Sequence, residues 1–158
     1  MKAPQADKEA IKKRLDTSLE SEAAEFLVLA WLMLNKIPTF KAYVNYPGYD
    51  LIATNAERRT QVTIQVKSRF VTDWDGFIIN NDKCDFVVFV ALNRRYKVKK
   101  KQGSGEADPE FYILPIDWVK RVRDPNNKWG KITRSRLLNM GIQDYKNQWS
   151  QISAALNS

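Results

Sequence analysis

The chain has 158 residues, with 26 Lys and Arg against 18 Asp and Glu, no His, and one Cys. A chain of this length fits one globular domain whose core needs neither disulfides nor a structural metal. Because His is absent, mechanisms built on an imidazole are excluded, including Ser-His-Asp and Cys-His nucleophile systems and His-ligated zinc. An enzyme of this composition must use carboxylates, Lys or water as its acids and bases.

The single cysteine, Cys84, excludes an intramolecular disulfide and favours a reducing cytoplasm. The first nine residues are polar and lack the apolar segment of a secretion signal. The most apolar stretch, residues 26–34, is about half the roughly 20 residues that a membrane span needs. We therefore expect a cytoplasmic protein with no membrane partner. We expect one domain over residues 1–158, with flexible segments at 1–17 and 97–108.

The formal net charge of +8 suggests a polyanionic partner, since a basic field attracts phosphate backbones. The excess charge is concentrated in two clusters. The first contains Arg94, Arg95, Lys97, Lys99, Lys100 and Lys101, and the second contains Lys120, Arg121, Arg123, Lys128, Lys131, Arg134 and Arg136. Either cluster is also compatible with a solvated loop or helix face.

The first predicted element is a helix that begins with Ser18 or Ser21 as its N-cap and runs to about Asn35, with a broad apolar face. After Pro38, short strands are predicted at residues 40–44 and 50–53. A turn at residues 46–49 separates them, and a polar hairpin turn follows at residues 55–59.

Residues 61–67 alternate between apolar and polar side chains, which predicts a strand with Gln65 and Lys67 on one face. The nearly continuous apolar run at residues 85–92 predicts a central strand covered on both faces. A shorter strand is predicted at 111–114, followed by helices at 116–122 and 143–156. This order of elements predicts a mixed α/β domain.

Polar groups beside these elements suit the hydrolysis of phosphodiesters. Asp50 begins one strand, and Gln65 and Lys67 share a face of the next. Mg²⁺ prefers carboxylate, amide and carbonyl oxygens, which Asp50, the Gln65 side chain and the Val66 carbonyl can supply. Lys67 would then lie beside the metal, where a cation can orient water and stabilise charge in the transition state. Glu25, in the first helix, is the further candidate.

These residues resemble the PD-(D/E)xK nuclease superfamily, in which the second acidic position is sometimes Gln. The resemblance is strongest to its small restriction-endonuclease-like and Holliday-junction-resolvase-like members, and it rests on residues 25–28, 48–53, 64–68, 85–90 and 109–115. It implies a mixed central β-sheet flanked by helices and Mg²⁺- or Mn²⁺-dependent cleavage of DNA. It further implies a catalytic set of Glu25, Asp50, Gln65 and Lys67, with Glu25, Asp50, Gln65 and Val66 as metal ligands.

The chain departs from the family pattern at two positions. Pro47 lies three residues before Asp50 rather than next to it, and Gln65 replaces the usual acid. The loss of one negative charge at residue 65 should weaken metal binding or leave Glu25 to complete the ligand set. Glu22 is a rival to Glu25, because residues three apart share a helix face.

Each site residue also has a plainer interpretation. Glu25 is compatible with an acid that favours the helix dipole, and Asp50 with a turn residue that bonds its own backbone. Gln65 and Lys67 are compatible with the solvated face of an edge strand. The predicted nucleic-acid contacts are Ser68, Arg69, Arg94, Arg95 and Lys97.

The tryptophans admit two roles, core packing and stacking on bases. Trp74 lies in a predicted loop near the site and is predicted as a core residue rather than a base-stacking one. Trp118, Trp129 and Trp149 are predicted to lie in the core.

The sequence therefore predicts a metal-dependent endonuclease acting on DNA, either duplex or branched. RNA is not excluded as a substrate, since charge does not distinguish the two nucleic acids. The sequence is also compatible with a homodimer. One alternative is a nucleic-acid-binding module of the same fold that has lost catalysis through Gln65. Another is a protein-interaction module, such as an immunity or toxin-partner protein.

Overall fold

The computed structural model describes residues 17–42, 48–99 and 102–158. Outside the described residues lie almost all of the segment expected to be flexible at 1–17, half of the turn expected at 46–49, and Lys100 and Lys101. The elements in chain order are α1 (Ser18–Leu34), β1 (Thr39–Lys41), β2 (Leu51–Asn55), β3 (Thr60–Val71), β4 (Gly76–Ile78), β5 (Phe86–Arg95), β6 (Glu110–Pro115), α2 (Ile116–Val122), β7 (Lys131–Thr133), α3 (Arg134–Asn139), a 3₁₀ helix (Ile142–Tyr145) and α4 (Ser150–Asn157).

The main sheet has the strand order β1-β2-β3-β5-β6. Strands β3 and β5 are parallel and the other neighbours are antiparallel, so the sheet is mixed, as predicted. A second, small sheet joins β4 to β7. The chain reaches it between β3 and β5, which gives the crossover that two parallel strands require.

Helices and the small sheet cover the two faces of the main sheet and form two cores. Helices α1 and α4 pack on one face, where Val28, Leu32 and Ile152 are fully buried. Helices α2 and α3 and the small sheet pack on the other face, where Phe77 and Phe89 stack with ring centroids 4.6 Å apart. Among the described helices, none is long and apolar enough to cross a membrane.

The predictions for the two central strands are confirmed. Strand β5 is buried from Phe86 to Asn93, as a continuous apolar run requires. Gln65 pairs with Val87 and Lys67 with Phe89. Residues side by side on neighbouring strands share a face, so Gln65 and Lys67 lie on the same face of the sheet.

The predicted cap of the first helix and the predicted extent of the last one are wrong. Helix α1 begins at Ser18 with Thr17 in the N-cap position, so neither Ser18 nor Ser21 is the cap. The segment 143–156 is not one helix. The 3₁₀ helix ends at Tyr145, Asn147 takes a φ of 56° and its N–H donates to the Phe111 carbonyl oxygen at 2.9 Å, and only then does α4 begin.

Other differences concern the ends of two strands and one tryptophan. The strand expected at 40–44 is described over Thr39–Lys41, and residues 43–47 lie outside the described part. Arg94 and Arg95 belong to β5 rather than to the following loop. Trp74, Trp118 and Trp149 are buried, as predicted, but Trp129 is 80% exposed, so its assignment to the core is wrong.

Candidate active site

The candidate site forms at the point where β2 separates from β3, which we call the fork. Strand β2 begins at Leu51, whereas β3 continues to Val71, so the second half of β3 has no β2 partner. Asp50 occupies the fork: its N–H donates to the Ile64 carbonyl oxygen at 2.8 Å, and its Oδ2 accepts from the Val66 N–H at 2.7 Å. The carboxylate therefore takes the place of a strand partner and is held against β3.

The Gln65 side chain is buried beside this fork with an unsatisfied oxygen. Gln65 is 9% exposed, and its Oε1 has no hydrogen-bond partner among the described residues. A buried polar atom without a partner costs about 1–3 kcal/mol. Such atoms are rare in native structures, and a bound ion is one explanation for them.

Asp50 and Lys67 carry opposite charges, and both residues are partly buried. Burial raises the pKa of Asp50 above its ordinary value, although the Val66 N–H and the charges of Lys67 and Lys41 act in the other direction. Burial lowers the pKa of Lys67, against the attraction of Asp50 and with the help of Arg69. The surroundings therefore stabilise the charged form of each group less well than water does. Ionisable groups with pKa values shifted in this way are typical of functional sites.

Glu25 approaches the fork from α1 and is held by a lysine that sequence reasoning missed. Lys41 Nζ lies 3.2 Å from Glu25 Oε2 and also pairs with Glu22. The Lys41 side chain is 6% exposed. Burial raises the pKa of Glu25, Asp50 raises it further, and Lys41 opposes both. The rival acids Glu22 and Glu25 therefore both pair with the Lys41 ammonium group. The negative charge of Asp50 acts on Glu25 and raises its pKa.

The oxygens at the fork fit a hard divalent cation. No group of three or more Asp, Glu or Cys side chains placed to hold a metal ion occurs in the part of the chain that the structure describes. The candidate donors are instead the Asp50 carboxylate, the unpartnered Gln65 oxygen and the Val66 carbonyl. A strand residue directs its N–H and C=O to the same neighbour, so the Val66 carbonyl leaves β3 on the side of Asp50. Carboxylate, amide and carbonyl oxygens are the ligands that Mg²⁺ takes.

Cys84 adjoins the site, and its burial disfavours the thiolate form. Burial raises the pKa of its thiol to about 11, although the Gln65 backbone acts in the other direction. The thiol is therefore neutral near pH 7, and the thiolate is the reactive form of cysteine. This leaves the oxygens at the fork and Lys67 as the candidate groups for chemistry.

Two adjoining clefts extend from the fork along β3. One, of about 330 Å³, is lined by Lys67, Ser68, Arg69 and Asn80 among others. The second, of about 480 Å³, shares Ser68 and Arg69 and adds Arg95 and Lys97. Four of the predicted nucleic-acid contacts thus line two clefts that share Ser68 and Arg69, and Lys67 lines one of the two.

Arg94 and Arg69 differ from the other predicted contacts. Arg94 does not line these clefts and pairs with Glu106 at 2.5 Å. Arg69 donates from Nε to the Gly76 carbonyl oxygen at 2.7 Å, which ties β3 to the start of β4, and from Nη1 to the Ser68 carbonyl oxygen at 3.0 Å. Its guanidinium therefore has a structural role in addition to any contact with a ligand.

Comparison with solved structures identifies the fold. The chain is similar to the bacterial homing endonuclease I-Ssp6803I, at 17% identity and a TM-score of 0.52, over 89% of this chain and 91% of that chain. A Holliday junction resolvase from Archaeoglobus fulgidus is also similar, at 15% identity and a TM-score of 0.44, over 74% and 86% of the two chains. No family model and no curated protein matches the chain. The mixed sheet with helices on both faces is the restriction-endonuclease-like fold, as the sequence predicted.

Proposed function

We propose that this protein is a metal-dependent endonuclease that hydrolyses phosphodiester bonds in DNA at the fork between β2 and β3. The observation that carries the proposal is the buried Gln65 Oε1, which lacks a partner among the described residues and lies on the same strand face as Lys67. Asp50, whose pKa burial raises, stands at the same fork. A divalent cation would satisfy the amide oxygen and the carboxylate together.

Asp50, Gln65 and the Val66 carbonyl would hold Mg²⁺ or Mn²⁺, with Glu25 as a further ligand. When bound, such a cation polarises a phosphoryl oxygen and lowers the pKa of water. Gln65 supplies no negative charge, so this site should bind the cation less tightly than one built from two acids and should depend more on Glu25. Lys41 fixes Glu25 by their ion pair, which makes Lys41 a positioning residue.

Lys67 has the role of the catalytic cation. In the reaction the oxygen of a water forms a bond to phosphorus and gives up a proton, the phosphorus–oxygen bond to the leaving strand breaks, and the leaving oxygen gains a proton. The Lys67 ammonium would orient the water and offset the negative charge that develops on the phosphoryl oxygens, an effect that is strongest where water is excluded. The partial burial of Lys67 near Asp50 favours this effect.

The charge around the fork supports a nucleic-acid substrate. Ser68 and Arg69 line the cleft that contains Lys67, and they also line a second cleft with Arg95, Lys97, Glu20 and Asp75. The chain carries a formal net charge of +8. Contacts from Arg and Lys to phosphates position a nucleic acid without reading its sequence. The likeness in fold to a homing endonuclease supports DNA rather than RNA as the substrate.

A cleavage assay with several substrates tests the proposal. Wild type and Asp50→Asn are incubated with supercoiled plasmid, single-stranded DNA, a branched junction and duplex RNA, each with Mg²⁺, Mn²⁺ or EDTA. We expect cleavage of DNA by the wild type with metal and none by Asp50→Asn or in EDTA. Salt-sensitive binding without cleavage would instead support the inactive binding module, and no binding at low salt would support a protein-interaction module.

A further inference from the structure

An exposed tryptophan stands apart from both cores. Trp129 is 80% exposed, whereas Trp74, Trp118 and Trp149 are each 7% exposed or less. A large aromatic ring left in water forgoes the burial that usually accounts for tryptophan in a fold. Packing therefore does not explain the presence of an indole at this position.

The turn that carries Trp129 is held firmly by hydrogen bonds. The Trp129 N–H donates to Asn127 Oδ1 at 3.0 Å, and the Ile79 N–H donates to the Gly130 carbonyl oxygen at 3.0 Å. Gly130 has a φ of +68°, and a Cβ there would lie 2.4 Å from the Ile79 carbonyl oxygen, so the turn requires glycine. The ring is thus presented from a fixed backbone.

This turn adjoins the candidate active site. Gly130 is bonded to Ile79, and the next residue, Asn80, lines the cleft that contains Lys67. Ile78, which also lines that cleft, pairs with Lys131 across the small sheet. The small sheet therefore places Trp129 beside the rim of the Lys67 cleft.

A basic depression adjoins the hollow that Trp129 lines. Lys128 directly precedes Trp129, and Lys131, two residues further on, pairs with Asp75 at 3.3 Å. Trp129 lines a small hollow whose lining also includes Asp124 and Asn127. The same two residues line a neighbouring depression of about 540 Å³. The cations that line this depression are Lys120, Arg121, Arg123 and Arg136, and Asp124 is the acid among its lining residues.

We propose that Trp129 stacks on an unstacked base of the bound DNA, while phosphates of the same strand lie over the basic depression. This inference rests on the proposed nuclease function and names its substrate class, which is DNA with an unpaired base near the scissile phosphate, as at a branch or at a junction of single and double strand. Aromatic rings beside a cationic surface bind such strands by stacking, which tolerates any base. In a continuous duplex the base faces are already occupied by their neighbours.

The test measures binding in EDTA, where no cleavage is expected. The probes are a continuous DNA duplex, the same duplex with one unpaired 2-aminopurine, and a single strand. The variants are Trp129→Ala, Trp129→Phe and, as a control, Leu34→Ala, which removes an apolar side chain that is 69% exposed at the end of α1. All of these positions are exposed, so thermal unfolding should change little.

We expect Trp129→Ala to lower affinity for the DNAs with unpaired bases by about 5- to 100-fold and for the continuous duplex by less than about twofold. Trp129→Phe should keep most of the affinity, and Leu34→Ala should resemble the wild type. Wild type should quench the 2-aminopurine, and Trp129→Ala should not. The salt dependence should be the same in both, since stacking releases no counterions.

Two results would overturn the inference while leaving the nuclease intact. One is a Trp129→Ala variant that binds every probe as the wild type does, and the other is an equal loss on the continuous duplex. If the wild type binds none of the DNAs, the proposed function fails and this inference fails with it. Metal-dependent cleavage by the wild type in a parallel assay distinguishes the two cases.

Discussion

Replacing Gln65 by Met separates the amide oxygen from the packing of the side chain. The two side chains are similar in length, and the thioether is a weak acceptor that fills apolar space. Gln65 is 9% exposed and its Oε1 has no partner in the described part of the chain. Removing such an atom relieves a cost of about 1–3 kcal/mol. The metal-free variant should therefore be as stable as the wild type, or more stable by up to this amount.

The same variant should lose the response to metal. A ligand at 100 times its dissociation constant stabilises the folded state by about 2.7 kcal/mol. In a chain of this size each 1 kcal/mol corresponds to roughly 2–4 °C in Tm. With Mg²⁺ or Mn²⁺, the wild type should gain roughly 5–10 °C by this arithmetic. Gln65→Met should gain much less, because it has lost one ligand oxygen.

Thermal unfolding in EDTA and in saturating metal measures both effects. Gln61→Met is the matched control, because Gln61 lies on the same strand and is exposed. It should leave both the metal-free Tm and the response to metal unchanged. The reasoning would be refuted by a Gln65→Met variant that is clearly less stable in EDTA yet gains as much from metal as the wild type does.

Three further predictions follow from the charges. Burial raises the pKa of Asp50 above 3.8, so the ionised carboxylate costs stability at neutral pH. Metal-free Asp50→Asn should be the more stable protein there, and its advantage should vanish as the pH falls through the raised pKa towards 3.8, as measured by urea unfolding across pH. Arg95→Gln should lower the salt dependence of DNA binding by about one counterion, whereas Arg94→Gln, with the same change of charge, should leave it nearly unchanged. Lys41→Met should lower the free energy of unfolding by about 1–3 kcal/mol at pH 7. This loss is smaller than for a wholly buried ion pair, because Glu22 is 48% exposed. Low pH should restore part of the lost stability.

The sequence was informative where structure depends on neighbouring residues. The alternation at 61–67 predicted that Gln65 and Lys67 share a face, because the period of a strand is local. The apolar run at 85–92 predicted the buried strand β5 for the same reason. The mixed α/β fold followed from the order of these elements.

Features that depend on distant contacts were missed. Lys41 gave no signal, because its ion pairs join β1 to α1 through a fold that the sequence pattern does not show. Strands β4 and β7 have three residues each and exist through their pairing with one another. Trp129 was assigned to the core because tryptophan usually lies there, whereas the turn fixed by Gly130 and Ile79 holds it in solvent.

Measuring metal binding and cleavage in the same samples tests most directly whether the fork is one catalytic site. Mn²⁺ binding by electron paramagnetic resonance and single-turnover DNA cleavage are compared for wild type, Asp50→Asn, Lys67→Met and the exposed control Lys36→Met. The account predicts that Asp50→Asn loses both metal binding and cleavage, that Lys67→Met keeps Mn²⁺ binding but loses cleavage, and that Lys36→Met keeps both. Metal-dependent cleavage by Lys67→Met or Asp50→Asn at the wild-type rate would contradict it.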